Sequence, residues 1–212
     1  MKKFILLQLT ALFLFGAISV TYAQSDAKYK KTMEQVYKQK SKEFKKGKWA
    51  VTGTSLTLDA ALMKHLRTLN ADNNDEIVYK VEMCKSANVC RANALNNALV
   101  EYAQKAGSYI RGRVTSDMFN DASANVPTEF DKFYAAYERL VQAEVKGALD
   151  FSFAVERPNG EGKTYEAYYI VNEEKASRAR LRAMQLAFEE TQMAQKYAEQ
   201  VSKFVQEGFK NE

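Results

Sequence analysis

Few side chains in this sequence have the types and spacing that catalysis or metal binding requires. The 212 residues include one His, His65, and two Cys, Cys84 and Cys90. A Cys–His nucleophile system needs a third group that orients the imidazole, and nothing near His65 in the sequence supplies one. A structural zinc site takes about four Cys and His ligands, which is more than this chain holds.

Short catalytic motifs do not fill this gap. The sequence contains no Gly-x-Ser-x-Gly, no His-Glu-x-x-His and no Gly-rich phosphate loop. The polar run from Asn70 to Asp75 resembles a calcium loop, but Asp75 stands where the loop needs Gly and Val81 where it needs Glu. We therefore predict no catalytic, cofactor-binding or metal-binding residues, and we expect that the protein is not an enzyme. Carboxylates brought together by the fold would still permit a hydrolase, which remains an alternative.

The His and the two Cys also have structural interpretations. His65 shares the apolar face of a predicted helix with Leu62 and Leu66, where a partly buried core residue is the simpler interpretation. Cys84 and Cys90 lie six positions apart. In an oxidising compartment they would form a disulfide worth about 2 kcal/mol, and two half-buried thiols are the competing interpretation.

Residues 1–23 predict a signal peptide. A basic start, Met1-Lys2-Lys3, precedes an apolar run over residues 4–20, and small residues then mark a cleavage site before Gln24. A single membrane anchor is the alternative, although the apolar run is short for a bilayer span. No Cys follows the run, so we expect no lipid attachment and place the protein in the periplasm or cell envelope. Without residues 1–23 the formal net charge falls from +5 to +3, which argues against a nucleic-acid binder.

Residues 24–47 predict a basic amphipathic helix. Nine Lys lie between Asp26 and Lys48, while Met33, Val36 and Phe44 fall near one helical face. Two interpretations remain open. The Lys side chains form a solvated face, or they make peripheral contact with an anionic membrane surface or glycan.

The segment from Cys90 to Phe119 predicts a helix followed by a strand. The helix covers residues 91–106 and ends at Gly107, because Gly accepts the left-handed turn that ends helices. Residues 108–119 then alternate, with Ile110, Val114 and Met118 on one face. Arg111 and Arg113 fall on the other face, where we expect them to face solvent and not to act in catalysis. We expect the strands around Trp49 and in a Tyr-rich hairpin to pair with this strand.

The remaining elements complete an α+β pattern. Thr128 begins a helix with an aromatic stripe, and residues 149–171 predict a hairpin around Asn159-Gly160. Asn172 caps a final helix that continues to Phe209. The element order predicts a two-layer α+β fold, with a mixed, mostly antiparallel sheet, helices on one face and a long C-terminal helix. Residues 48–175 would form the core domain, and residues 176–212 would form the C-terminal helix.

Three segments resemble exported proteins of gut Bacteroidetes. Residues 48–58 read KWAVTGTSLTL, residues 91–99 read RANALNNAL, and residues 176–187 read ASRARLRAMQLA. Proteins with these segments are similar to the twenty-kilodalton bacterial envelope lipoprotein family and to the N-terminal domain of a flagellar assembly protein. The resemblance implies a small mixed-sheet envelope domain and no catalytic residues. The chain departs from the lipoproteins because it lacks a lipidation Cys after the signal segment.

These features predict a non-enzymatic interaction or structural module of the cell envelope. Its partner would be an envelope protein, a surface polymer or a second copy of the chain, because the C-terminal helix carries more apolar surface than the sheet can cover. The main alternative is a small-molecule or glycan-binding module that uses the aromatic faces of the hairpin and of the helix from Thr128. That alternative requires an aromatic pocket between them.

Overall fold

The computed structural model describes residues 32–71, 74–118, 128–192 and 197–208. The predicted signal peptide, residues 1–23, lies outside these ranges. The chain divides into two compact units, and the division falls between Lys48 and Trp49. The first unit contains helix α1, which covers residues 32–46. Lys38, Lys42 and Lys45 of α1 are exposed, which fits both a solvated basic face and contact with an anionic surface.

The second unit contains the sheet and the remaining helices, and it confirms the α+β class. Its elements are β1 (Ala50–Thr52), α2 (Leu58–Leu69), β2 (Asn74–Cys84), α3 (Ala87–Arg113), a π-helical segment (Val114–Met118), α4 (Thr128–Glu144), a 3-10 turn (Val145–Ala148), β3 (Leu149–Asn159), β4 (Gly162–Asn172), α5 (Glu173–Thr191) and α6 (Ala198–Glu207). No helix in the described ranges has both the length and the apolar character needed to cross a bilayer.

The four strands form an antiparallel sheet in the order β1-β3-β4-β2. The predicted hairpin is confirmed as β3 and β4, which turn at Gly160 with a positive φ of 58°. β1 follows Trp49 and pairs with β3, where Val51 lies opposite Val155. Of the partner strand expected at residues 108–119, the described part, residues 108–118, takes no part in the sheet. β2 and β1 are therefore the two edge strands.

Helices cover both faces of the sheet, whereas the sequence predicted helices on one face. A bulge between Phe151 and Phe153 shifts the register of β3, so that Phe151 lies opposite Tyr169 and Phe153 opposite Tyr168. Phe151 and Tyr169 lie on the face of the sheet that packs against helices α3 to α6, in what we call the larger core. Phe153 and Tyr168 lie on the opposite face, where they contact His65 of α2. The extra residue at the bulge exchanges the faces of the two halves of β3, so side chains do not alternate strictly along this strand.

The larger core lies between helices α3 to α6 and the sheet face that carries Phe151 and Tyr169. The aromatic stripe of α4 is confirmed as part of this core. Its most buried side chains, each at most 1% exposed, are Phe130, Phe133, Tyr134, Tyr137 and Val141. Several buried Ala residues on α3, including Ala94, Ala98 and Ala106, let this helix pack closely.

The strand predicted for residues 108–119 is wrong, because α3 continues through Gly107 to Arg113 and the chain then forms a π-helical segment to Met118. Ile110 and Val114 are both buried against the larger core. A spacing of four residues fits the face of a helix as well as alternate positions of a strand, so the apolar pattern could not separate them. Gly107 does not end the helix. A Cβ atom placed there would overlap the side chain of Glu138 on α4, so Gly107 permits close helix packing.

Two glycines in α3 provide a test of this packing. We expect Gly112→Ala to raise the free energy of unfolding by about 0.5–1 kcal/mol, because Ala favours helix and nothing lies within 4 Å of the added Cβ atom. Gly107→Ala should lower the free energy of unfolding by about 1 kcal/mol or more, because the added methyl group meets Glu138. Urea denaturation measures both changes. A stabilising Gly107→Ala would contradict the close packing of α3 on α4.

The single C-terminal helix predicted for residues 176–212 is also wrong, because the structure has two helices. α5 begins at Glu173, after the Asn172 side chain accepts a hydrogen bond from the backbone N–H of Lys175 at 3.0 Å, as expected for the cap. It ends at Gln192, whose backbone is left-handed with a φ of 52°. α6 returns to the same core and buries the following side chains: Val201, Phe204 and Val205. The apolar surface that we expected to need a partner is therefore covered within the chain.

Candidate functional site

A cleft of about 400 Å³ lies between β2 and α3. Residues 75–78 of β2 and Val171 of β4 form one wall, and Glu101, Tyr102 and Lys105 of α3 form the other. Within the described chain no strand pairs with this edge of β2, which is 11 residues long. Edge strands expose backbone N–H and C=O groups that can pair with another extended segment. The cleft therefore combines backbone groups available for pairing with side chains of both charges.

Glu76 connects the cleft to a buried His on the opposite face of the sheet. The Nε2 atom of His65 lies 2.6 Å from Oε1 of Glu76, and the His65 side chain is fully buried. A carboxylate can only accept a hydrogen bond, so Nε2 carries the proton. Phe153 and Tyr168 contact the imidazole edge-on, with ring centroids 5.4 and 5.5 Å away. The interpretation of His65 as a core residue agrees with this environment, in which the imidazole holds the carboxylate of Glu76.

Tyr102 connects the cleft to a buried ion pair on the α3 side. Its hydroxyl accepts a hydrogen bond from Arg180, which is 2% exposed. Arg180 also donates to both carboxylate oxygens of Glu173, at 2.5 and 3.2 Å. Burial disfavours the charge of Arg180, but the hydrogen bonds with Glu173 and the nearby charges outweigh this effect, so the pKa of the guanidinium is raised. Burial raises the pKa of Tyr102 to about 12, although the charge of Arg180 opposes the increase.

Two tyrosines near Arg180 should respond in opposite directions to removal of their hydroxyl groups. The hydroxyl of Tyr137 is buried without a hydrogen-bond partner among the described residues, so Tyr137→Phe should raise the free energy of unfolding by about 1 kcal/mol. Tyr102→Phe should lower it by about 1.5–3 kcal/mol, because it removes a hydrogen bond to a charged group. Urea denaturation of both variants measures the difference. Changes of the same sign would show that the two hydroxyls have equivalent environments.

A disulfide joins the end of β2 to the start of α3, the two elements that form the walls of the cleft. Cys84 is the last residue of β2 and Cys90 lies in the first turn of α3, and the structure links them with a Cα–Cα distance of 5.7 Å. Just before the bond, Met83 has a positive φ of 58° at a register shift in β2. The disulfide fixes the start of α3 relative to β2, so the two elements that form the cleft cannot separate at that end.

The other residues considered from the sequence lie away from this cleft. Arg111 is exposed and lies 4.8 Å above the ring of Tyr134, and Arg113 pairs with Asp117 and Glu207 at 2.9 Å. Residues 72 and 73 of the calcium-like run are outside the described ranges. Among the described residues, no three His, Cys, Asp or Glu side chains come together as a metal site would require.

Sequence reasoning missed Glu76, Glu173 and Arg180. One signal could have revealed Arg180, which lies four residues after Ala176 and three before Ala183, on the buried stripe of α5. Glu173 lies two helical turns before Arg180 on the same face. The pairing of Glu76 with His65 depends on how α2 packs on the sheet, and no local pattern reports it.

Comparison with known proteins gave no further guide to the site. No family model, curated protein or solved structure matched the chain. The resemblance to envelope proteins therefore stays a prediction, and the functional argument depends on the residues described above.

Proposed function

We propose that this protein is a non-enzymatic interaction module of the cell envelope that binds a protein partner along the outer edge of β2. The observation that carries the proposal is the open 11-residue edge beside the cleft between β2 and α3. An extended segment could add to such an edge through backbone hydrogen bonds, while neighbouring side chains select the sequence that binds.

Two features support an exported location. The disulfide between Cys84 and Cys90 suits an oxidising compartment such as the periplasm. The apolar run and cleavage-like residues at the start of the sequence have the pattern of a signal peptide. Both features support the proposal of a partner outside the cytoplasm.

The geometry gives less support to the two alternatives. The aromatic side chains expected to form a ligand pocket, including Phe133, Tyr137, Tyr165 and Tyr169, are at most 2% exposed and pack in the core. The hydrolase alternative predicts carboxylates that the fold brings together, and Asp75, Glu76 and Glu101 do line one cleft. The carboxylate of Glu76, however, is hydrogen-bonded to His65. This residue has a carboxylate beside it, but its side chain is fully buried below Phe153 and Tyr168.

Site-specific photo-crosslinking tests the proposal. Benzoylphenylalanine in place of Val78, which is 36% exposed on the β2 edge, should form an adduct in an envelope extract of the source cells. The same group in place of Lys146, which is exposed after α4, serves as the matched control. Excess wild-type chain should abolish the adduct. Excess Val78→Lys chain should not, because an added charge on an edge strand blocks pairing.

Two results would contradict the proposal. One is equal labelling from positions 78 and 146, which would indicate nonspecific contact. The other is competition by Val78→Lys that equals competition by the wild type, which would show that the adduct does not depend on the β2 edge. Thermal unfolding of each variant establishes that the chain is folded before it is used.

A further inference from the structure

We propose that the segment bound at the β2 edge is β2 of a second copy of this chain, paired antiparallel with Val78 at the two-fold axis. This inference depends on the proposed function, because it names the partner for the same edge. The resulting dimer would join two four-stranded sheets into one continuous sheet.

The charges along β2 favour this register. An axis perpendicular to the sheet keeps each face on its own side, so Val78 meets its counterpart and Glu76 lies opposite the second copy's Lys80. Symmetry repeats this opposite-charge pair on the other side of Val78. Opposite charges directly across from each other stabilise a strand pair. The same register places Asn74 opposite Glu82 and Asp75 opposite Val81, so no like charges face each other.

Neighbouring registers of the same symmetry fit less well. Centring the pair on Ile77 places Glu76 opposite Val78 and forms no opposite-charge pair. Centring it on Tyr79 places Glu76 opposite Glu82, and centring it on Lys80 places that residue opposite itself. Like charges directly opposite each other destabilise a strand pair. The pattern of side chains therefore selects the register centred on Val78.

The environment of the edge residues suits this pairing. Among the described residues, Val78 is one of the few large apolar side chains with substantial exposure, at 36%, and the two-fold axis would bury it against its counterpart. His65 holds the carboxylate of Glu76 at 2.6 Å. Lys80 pairs with Glu82 in the single chain, but these side chains are 44% and 55% exposed, so the contact is weak enough to exchange.

The cleft residues of α3 have the same self-complementary pattern. Glu101 and Lys105 lie one helical turn apart and both line the cleft. The two-fold axis keeps both α3 helices on one side of the joined sheet. Glu101 of each copy then faces toward the second copy's Lys105, which adds a second set of opposite charges to the interface.

Introduced thiols test the register in the purified full chain. Val78→Cys should form a disulfide-linked dimer under mild oxidation, because residues directly opposite in antiparallel strands have Cα atoms about 4.5–5.5 Å apart. Lys80→Cys is the matched control. In the proposed register, position 80 of one copy lies four residues along the strand from position 80 of the other. The two Cα atoms are then about 13 Å apart, which is too far for a disulfide. Peptide mapping should show that the Cys84–Cys90 bond is intact in both variants.

Sedimentation equilibrium tests the association itself. The wild-type chain should form dimers reversibly, and Val78→Lys should raise the dimer Kd at least tenfold while its thermal unfolding stays unchanged. Crosslinking through position 80 and not 78 would overturn the register. A wild-type chain that stays monomeric at millimolar concentration would overturn the second copy as partner. If the wild-type chain is monomeric, a different protein that crosslinks at position 78 and is displaced by excess wild-type chain would still support the proposed function. If no such adduct forms, both the proposed function and the second copy as partner are wrong.

Discussion

Replacing Glu173 with Ala should lower the free energy of unfolding by about 3–5 kcal/mol. The reason is that Arg180 would remain charged in a site where it is 2% exposed, without the carboxylate that accepts two of its hydrogen bonds. The hydroxyl of Tyr102 can accept only part of what the guanidinium donates. The end of α6 closes this site, since a Cβ atom on Gly208 would lie 2.9 Å from both Arg180 and Glu173.

The neighbouring acid provides a matched control for this change. Glu174 also lies in the first turn of α5, so both acids interact favourably with the helix dipole. Its ion pair with Arg178 is exposed, with side chains 76% and 66% accessible, and Glu174→Ala should therefore change stability by less than about 1 kcal/mol. Urea denaturation at neutral pH compares the two variants. Equal losses would mean that the helix dipole, and not burial of Arg180, accounts for the effect of Glu173.

The sequence predicted those elements whose pattern is purely local. The helix from Leu58 to Leu69 was predicted from its apolar face, and the structure reproduces it. The β3–β4 hairpin follows from alternation around Gly160. The errors occurred where two local patterns coincide or where one residue interrupts them. The spacing of Ile110 and Val114 fits both helix and strand, and Gln192 ends α5 without a Gly or Pro to mark the break.

The candidate site was harder to predict because strand order and helix packing create it. β2 becomes an edge strand only because β4 pairs with both β2 and β3, and no local feature of residues 74–84 specifies this order. The cleft also depends on α3 lying beside that edge, and the sequence prediction ended this helix at Gly107. Glu76 looks like a solvent-facing strand residue until α2 brings His65 to 2.6 Å from it. Contacts between distant segments thus decide the site.

Replacing His65 with Ala should lower the free energy of unfolding by about 2–4 kcal/mol. The change removes the hydrogen bond to Glu76 and the edge-on contacts with Phe153 and Tyr168, and it leaves a cavity where the imidazole was fully buried. Lys64→Ala is the matched control, because Lys64 is the preceding residue of α2 and is exposed. Its effect should stay within about 0.5 kcal/mol.

A double-mutant cycle then separates the hydrogen bond from the packing. If His65 and Glu76 act as a pair, the sum of the stability losses from His65→Ala and Glu76→Ala will exceed the stability loss of the double variant. The difference is the coupling energy, which we expect to be about 0.5–3 kcal/mol. Additive losses would show that His65 stabilises the protein through packing alone. The same cycle also tests the β2 edge, because the hydrogen bond from His65 holds the carboxylate of Glu76. With coupling present, His65→Ala should also raise the dimer Kd, whereas Lys64→Ala should leave the dimer Kd unchanged, since the Lys64 side chain is exposed.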